Sequence, residues 1–85
     1  MPEISRFLGI VIAMYYREHP PPHFHAKYGE YRITVSVQDG AVIGSFPPRA
    51  LAHVVEWLEI HREELLADWD LAVQGKPLRR IAPLE

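Results

Sequence analysis

Three of the five histidines in this 85-residue chain fall between positions 19 and 25, around the run Pro20-Pro21-Pro22. Histidine changes charge nearest neutral pH and is a common metal ligand, so the cluster invites two kinds of chemistry. His23 and His25 are two apart, which puts both on one face if this stretch is a strand. Such a pair begins a zinc site, which takes three or four ligands with imidazole nitrogens at about 2.0–2.1 Å. His19 or Glu18 is the candidate third ligand, although the prolines hold the residues before them extended and carry His19 away. The same pair also suits phosphate-ester chemistry, with His23 and His25 as base and acid and Lys27 and Arg32 holding the anion. Arg17 or Arg6 would add to that positive charge. The plainer alternative is that His23 and His25 only hydrogen-bond Thr34 and Ser36. An isolated His-x-His pair is compatible with each of these.

The surrounding pattern predicts how these groups are held. Ile10 to Tyr16 is apolar, β-branched and aromatic, and reads as a buried strand, with Gly9 as a bulge at its start. Met1 to Phe7 reads as a short lead-in, and Arg17 to Pro22 as a stiff polar loop. His23–Tyr28 and Tyr31–Val37 then read as a hairpin closed by Gly29-Glu30, a glycine-first loop suited to a type II′ turn. That loop fixes a register from Tyr28 opposite Tyr31 to His23 opposite Ser36. The register sorts Phe24, Ala26, Tyr28, Tyr31, Ile33, Val35 and Val37 onto one face. His23, His25, Lys27, Arg32, Thr34 and Ser36 fall on the other, and a one-residue slip would undo the separation. Asp39-Gly40 signals a second tight turn into a strand over Ala41 to Phe46, pairing Val37 with Val42 and leaving Ile43 on the polar face.

Pro47-Pro48 opens a helical region in which Leu51, Val54, Val55, Leu58, Leu65 and Trp69 recur at helical spacing. Gly75 and Pro77 stop it. A straight helix over Ala50 to Gln74 would run about 37 Å, longer than so small a domain is wide. The expectation is a break near Ile60 to Glu63, with Glu63 and Glu64 in the first turn of a second helix. His53 and His61 lie about 80° apart around the helix and share no ligand. The fold class expected is therefore a two-layer α+β domain over residues 1–85. About four largely antiparallel strands precede one broken helix or two helices packed on one face. Phe24, Trp69 and at least one of Tyr28 and Tyr31 are expected in the core.

Apolar residues make up 48% of the chain, enough for a folded core. There is no cysteine, which excludes disulfides and thiolate metal sites. A net charge of −2 argues against binding nucleic acid through bulk charge, though not against a local basic patch. The longest apolar run is too short for a bilayer and no secretory signal is apparent, so the expectation is a cytoplasmic protein with no membrane partner.

Several segments together, Met1-Pro2-Glu3-Ile4-Ser5-Arg6-Phe7, Gly9 to Tyr15, Pro21-Pro22-His23-Phe24-His25-Ala26, Pro47 to Leu51, His61-Arg62-Glu63-Glu64-Leu65 and Gly75-Lys76-Pro77-Leu78, carry a resemblance. The chain resembles domain of unknown function family 4160, small prokaryotic proteins, over nearly its whole length. The family has no established activity. Its members are often encoded beside another small uncharacterised protein, and the resemblance therefore implies one half of a toxin–antitoxin-like pair.

Two functions follow as expectations. The first is action on RNA, with His23 and His25 as acid and base, Lys27, Arg32 and Arg17 binding the phosphate, and no cofactor. The second is a non-enzymatic binding module, with a divalent metal such as zinc at His23, His25 and His19. Either is compatible with a small cognate protein as partner, or with self-association. Tyr15, Tyr16, Tyr28, Tyr31 and Trp57 would offer contact area, and Arg49 and Arg62 would anchor an acidic partner.

Overall fold

In the computed structural model, which describes residues 2–85, one antiparallel sheet is laid down strictly in chain order and a single long helix covers one of its faces. The strands are β1 (Glu3–Phe7), β2 (Ile10–Ala13), β3 (His23–Tyr28), β4 (Tyr31–Ser36) and β5 (Val42–Ser45), followed by α1 (Pro48–Val73). The fold class is α+β as expected, with five strands rather than about four.

The extra strand is the lead-in. Phe7 pairs with Ile10, so β1 and β2 are joined by Leu8-Gly9 alone. Both residues are left-handed, with φ of 51° and 80°, as a type I′ turn requires. Gly9 is thus a turn residue and not a bulge. The bulge lies instead between Glu3 and Ser5 in β1, and it lets the successive residues Ile4 and Ser5 both be buried. Met1 lies outside the described residues.

The central hairpin has the predicted register at all six positions, from His23–Ser36 to Tyr28–Tyr31. Gly29 is left-handed and Glu30 is not, which suits a glycine-first turn. The next connection departs from expectation. Val42 pairs with Val35 and not with Val37, so the loop is two residues longer. Asp39 is not left-handed. Its carboxylate accepts the Ala41 N–H at 2.9 Å, and the Gly40 N–H donates to the Ser36 carbonyl. That side-chain closure replaces the backbone twist that a two-residue Asp-Gly turn would need. A shift of two preserves the faces, so Ile43 still lies on the outer side, 75% exposed.

Phe24, Ala26, Ile33 and Val35 face the helix, where Val54, Trp57, Leu58, Leu65 and Trp69 complete the core. Trp57 is fully buried and has no exposed area to offer a partner. Tyr28 and Tyr31 are both exposed, contrary to the core expectation. They sit at the closed end of the hairpin, where the Tyr28 ring touches Phe46 and lines a shallow hollow with Arg49, Ala50 and His53 at the start of α1.

The helix breaks within the predicted window, at His61, where φ is −114° and ψ is 20°. A straight 26-residue helix would measure about 39 Å, whereas the longest dimension of the molecule is 33 Å. At the break, Arg62 donates to the Val37 carbonyl at 2.8 Å, and His61 pairs with Glu64. Arg62 is therefore a tie between helix and sheet.

The chain after Gly75 runs extended along β1. The Ile81 N–H donates to the Ile4 carbonyl at 2.8 Å, and the Trp57 indole donates to the Ala82 carbonyl at 2.9 Å. The tail thereby covers the sheet edge that β1 would otherwise leave open.

Candidate functional site

The loop between β2 and β3 decides the geometry of the site. Arg17 is left-handed, with φ of 58°. Its N–H donates to the Ala72 carbonyl near the end of α1, and its guanidinium lies so close to Gly75 that a β-carbon there would meet it at 2.7 Å. The Pro20–Pro21 peptide is cis. Along this path Glu18 comes over the start of β3. The Val37 N–H donates to the Pro22 carbonyl and holds the loop's far end.

Glu18 meets both strand histidines through one oxygen. Its Oε1 lies 2.9 Å from His25 Nε2 and 3.2 Å from His23 Nε2. The three ligand atoms are all within 4.8 Å of one another. The second nitrogen of His23, Nδ1, donates to the Pro21 carbonyl at 2.9 Å. Aromatic rings hold both imidazoles. Trp69 lies 5.0 Å from the His23 ring, and Tyr15 meets the His25 ring edge-on at 4.5 Å. All three members of the cluster are partly exposed, His23 least of them.

Beside this cluster the outer face carries a hollow lined by Tyr15, His25, Lys27, Arg32, Thr34 and Ile43 among others. Lys27 and Arg32 are direct cross-strand partners. Like charges placed opposite one another destabilise a sheet. Among the described residues, neither has a carboxylate within ion-pair distance. The hollow is therefore a positively charged depression in a chain that is acidic overall.

The structure thus brings His23 and His25 together, and separately gathers His25 with Lys27 and Arg32. Arg17 is not in the hollow's wall but against Gly75, and Arg6 pairs with Glu3. His19 is exposed, and Glu18 takes the third position. Thr34 and Ser36 do not bond the histidines; Glu18 and the Pro21 carbonyl do. The prolines after His19, which hold it extended and away from the strand, are the sequence signal that favoured Glu18, the only carboxylate between Met14 and Pro22. Trp69 and Tyr15, which hold the imidazole rings, had no such signal.

No helix is long and apolar enough to cross a membrane among the described residues. No curated protein and no solved structure matches the chain. The family described as Domain of unknown function (DUF4160) matches over residues 9–70, a span that takes in the whole Glu18–His23–His25 cluster together with Lys27 and Arg32, and the chain belongs to that family.

Proposed function

We propose that this chain acts on RNA as the active member of a toxin–antitoxin-like pair, through the hollow on the outer face of its sheet. The observation that supports this most is the cross-strand pairing of Lys27 with Arg32 next to His25, neither cation having a carboxylate within ion-pair distance among the described residues. A phosphate seated between the two cations removes their repulsion and gains charge-assisted hydrogen bonds from both. The Glu18–His23–His25 cluster lies one strand step away, since His25 and Lys27 are about 7 Å apart on one face.

That juxtaposition supports phosphodiester cleavage. The ribose 2′-oxygen attacks phosphorus as the bond to the 5′-oxygen breaks. The proton of the 2′-hydroxyl passes to a base supplied by the cluster, and a proton is returned to the leaving oxygen. Lys27 and Arg32 stabilise the charge that builds on the phosphate oxygens. The net charge of −2 points to short single-stranded sites held by this local patch rather than to a duplex held by bulk charge. A small protein encoded beside it is the expected antidote, and covering the hollow is the simplest way for it to act.

Expression in a bacterial host with and without the neighbouring protein tests this reading, together with incubation of the purified chain with single-stranded RNA. Growth arrest relieved by the neighbour is expected. So is RNA cleavage that falls at least tenfold in Lys27→Gln and Arg32→Gln. Harmless expression without the neighbour, with no cleavage by the folded protein, overturns it.

A further inference from the structure

We infer that Glu18, His23 and His25 form a binding site for a single divalent first-row metal ion, zinc foremost. This deepens the reading above by naming what serves as the base, but it stands on geometry that does not need RNA.

The argument begins with His23. A neutral imidazole has one N–H and one lone pair. Nδ1 faces the Pro21 carbonyl at 2.9 Å, and a carbonyl can only accept, so the N–H is at Nδ1. The lone pair on Nε2 then points at Glu18 Oε1, 3.2 Å away. With Nδ1 committed to Pro21, Nε2 is the nitrogen placed to act as a metal ligand beside that carboxylate oxygen. His25 Nε2 approaches the same oxygen at 2.9 Å, so three ligand atoms gather within reach of one ion.

Separations of 2.9 and 3.2 Å are close to the ligand–ligand edge of about 3.3 Å that a tetrahedral zinc with 2.0–2.1 Å bonds imposes. The third edge, between the two imidazole nitrogens, lies within 4.8 Å. Proteins commonly fix a ligating histidine by tying its other nitrogen to a carbonyl, which is what Pro21 does for His23. Trp69 and Tyr15 hold the two rings from outside.

The competing arrangement is one in which protons, each on its own imidazole, bridge the rings to Glu18; elemental analysis of the stripped and reloaded chain separates it from a metal shared by all three ligand atoms. Two nitrogens and one oxygen also leave at least one coordination position open. A metal held there would lower the pKa of a bound water toward neutrality and so would supply the base for the 2′-hydroxyl beside the phosphate seat.

The test uses the full chain, stripped with chelator and then equilibrated with zinc chloride alone. Close to one zinc per chain by elemental analysis is expected, with a Kd in the micromolar range or tighter. Cobalt(II) in place of zinc should give the intense visible absorption of a four- or five-coordinate site. Glu18→Gln and His25→Ala should each weaken zinc binding at least tenfold, with unchanged circular dichroism. Because the wild-type stoichiometry decides the matter, a variant that fails to fold does not rescue the proposal. Less than a tenth of a zinc per folded wild-type chain overturns it. Stoichiometric zinc in a protein that cleaves no RNA upholds the metal site and sinks the RNA reading. Cleavage that persists undiminished in chelator, with no bound metal, upholds the RNA reading and sinks the metal site.

Discussion

Lys27 and Arg32 hold a conflict that the rest of the sheet avoids. They stand opposite each other across β3 and β4, with the apolar pair Ala26–Ile33 next to them on the buried face. A sequence shaped for stability alone would place opposite charges here. Lys27→Glu converts the repulsion to an attraction, and cross-strand ion pairs of that kind contribute about 0.2–1 kcal/mol. The variant should therefore unfold at slightly higher urea than wild type while losing RNA cleavage and growth arrest. Denaturation and cleavage measured on the same preparation check this, and loss of stability in Lys27→Glu would contradict it. This residue-level logic was legible in the sequence, because Gly29 pinned the register and alternation separated the faces. The position of Glu18 was not legible. It depends on Arg17 being left-handed and docked on Ala72 and Gly75, contacts from more than fifty residues away that no local pattern encodes.

At the scale of elements, turns rather than strands separate expectation from structure. β1 escaped notice because its turn is Leu8-Gly9, without the Asn or Asp that marks a type I′ hairpin, and because its bulge interrupts the alternation. The β4–β5 connection was misread for the opposite reason. Asp39-Gly40 carries the usual signal, but the Asp39 side chain closes on Ala41 instead. The helix break was legible from length alone. Its anchor was not, because Arg62 reads as a surface cation in a helical pattern and yet donates to Val37 across the molecule. Arg62→Ala leaves that carbonyl without its side-chain donor and should cost about 1–2 kcal/mol. Arg62→Lys should recover part of this. Urea denaturation of both variants tests it, and an unchanged Arg62→Ala midpoint would make the contact incidental. A sharper demand falls on Gly44, whose φ is 109° and where a β-carbon would lie 2.5 Å from the Arg32 carbonyl oxygen. Gly44→Ala should destabilise β5 by about 1–3 kcal/mol, because neither the backbone conformation nor the space suits a side chain.

Over the whole molecule, the tail closes the structure by joining its two ends. Ile81 is buried against the core, its N–H reaches Ile4, and Arg80 pairs with Glu3. Asp68, almost fully buried, accepts the Arg79 N–H through one oxygen and leaves the other without a partner. The two carboxylates respond to acid in opposite senses. Hydrogen bonds from Arg6 and then Arg80 hold the Glu3 carboxyl down at about 2, against an ordinary value of 4.5. Burial pushes the Asp68 carboxyl up, with the Arg79 N–H opposing only in part. A depressed carboxyl stabilises the fold above its unfolded value and loses that contribution as pH falls toward 2. A raised one does the reverse, costing stability while ionised and ceasing to do so once protonated. On acidification Asp68 therefore neutralises first, without loosening the tail, and the Glu3–Arg80 contact gives way only near pH 2. The Trp57 indole N–H, donated to Ala82, reports on the tail by proton NMR. Its shift should move with a midpoint near 2, and Glu3→Gln should abolish that step. A midpoint near 4.5 in wild type, or an identical step in Glu3→Gln, would show that the tail is held by Ile81 and Asp68 alone. Ile81→Ala separates those contributions, since emptying the buried site should cost about 2–4 kcal/mol at every pH and leave the Glu3 midpoint in place.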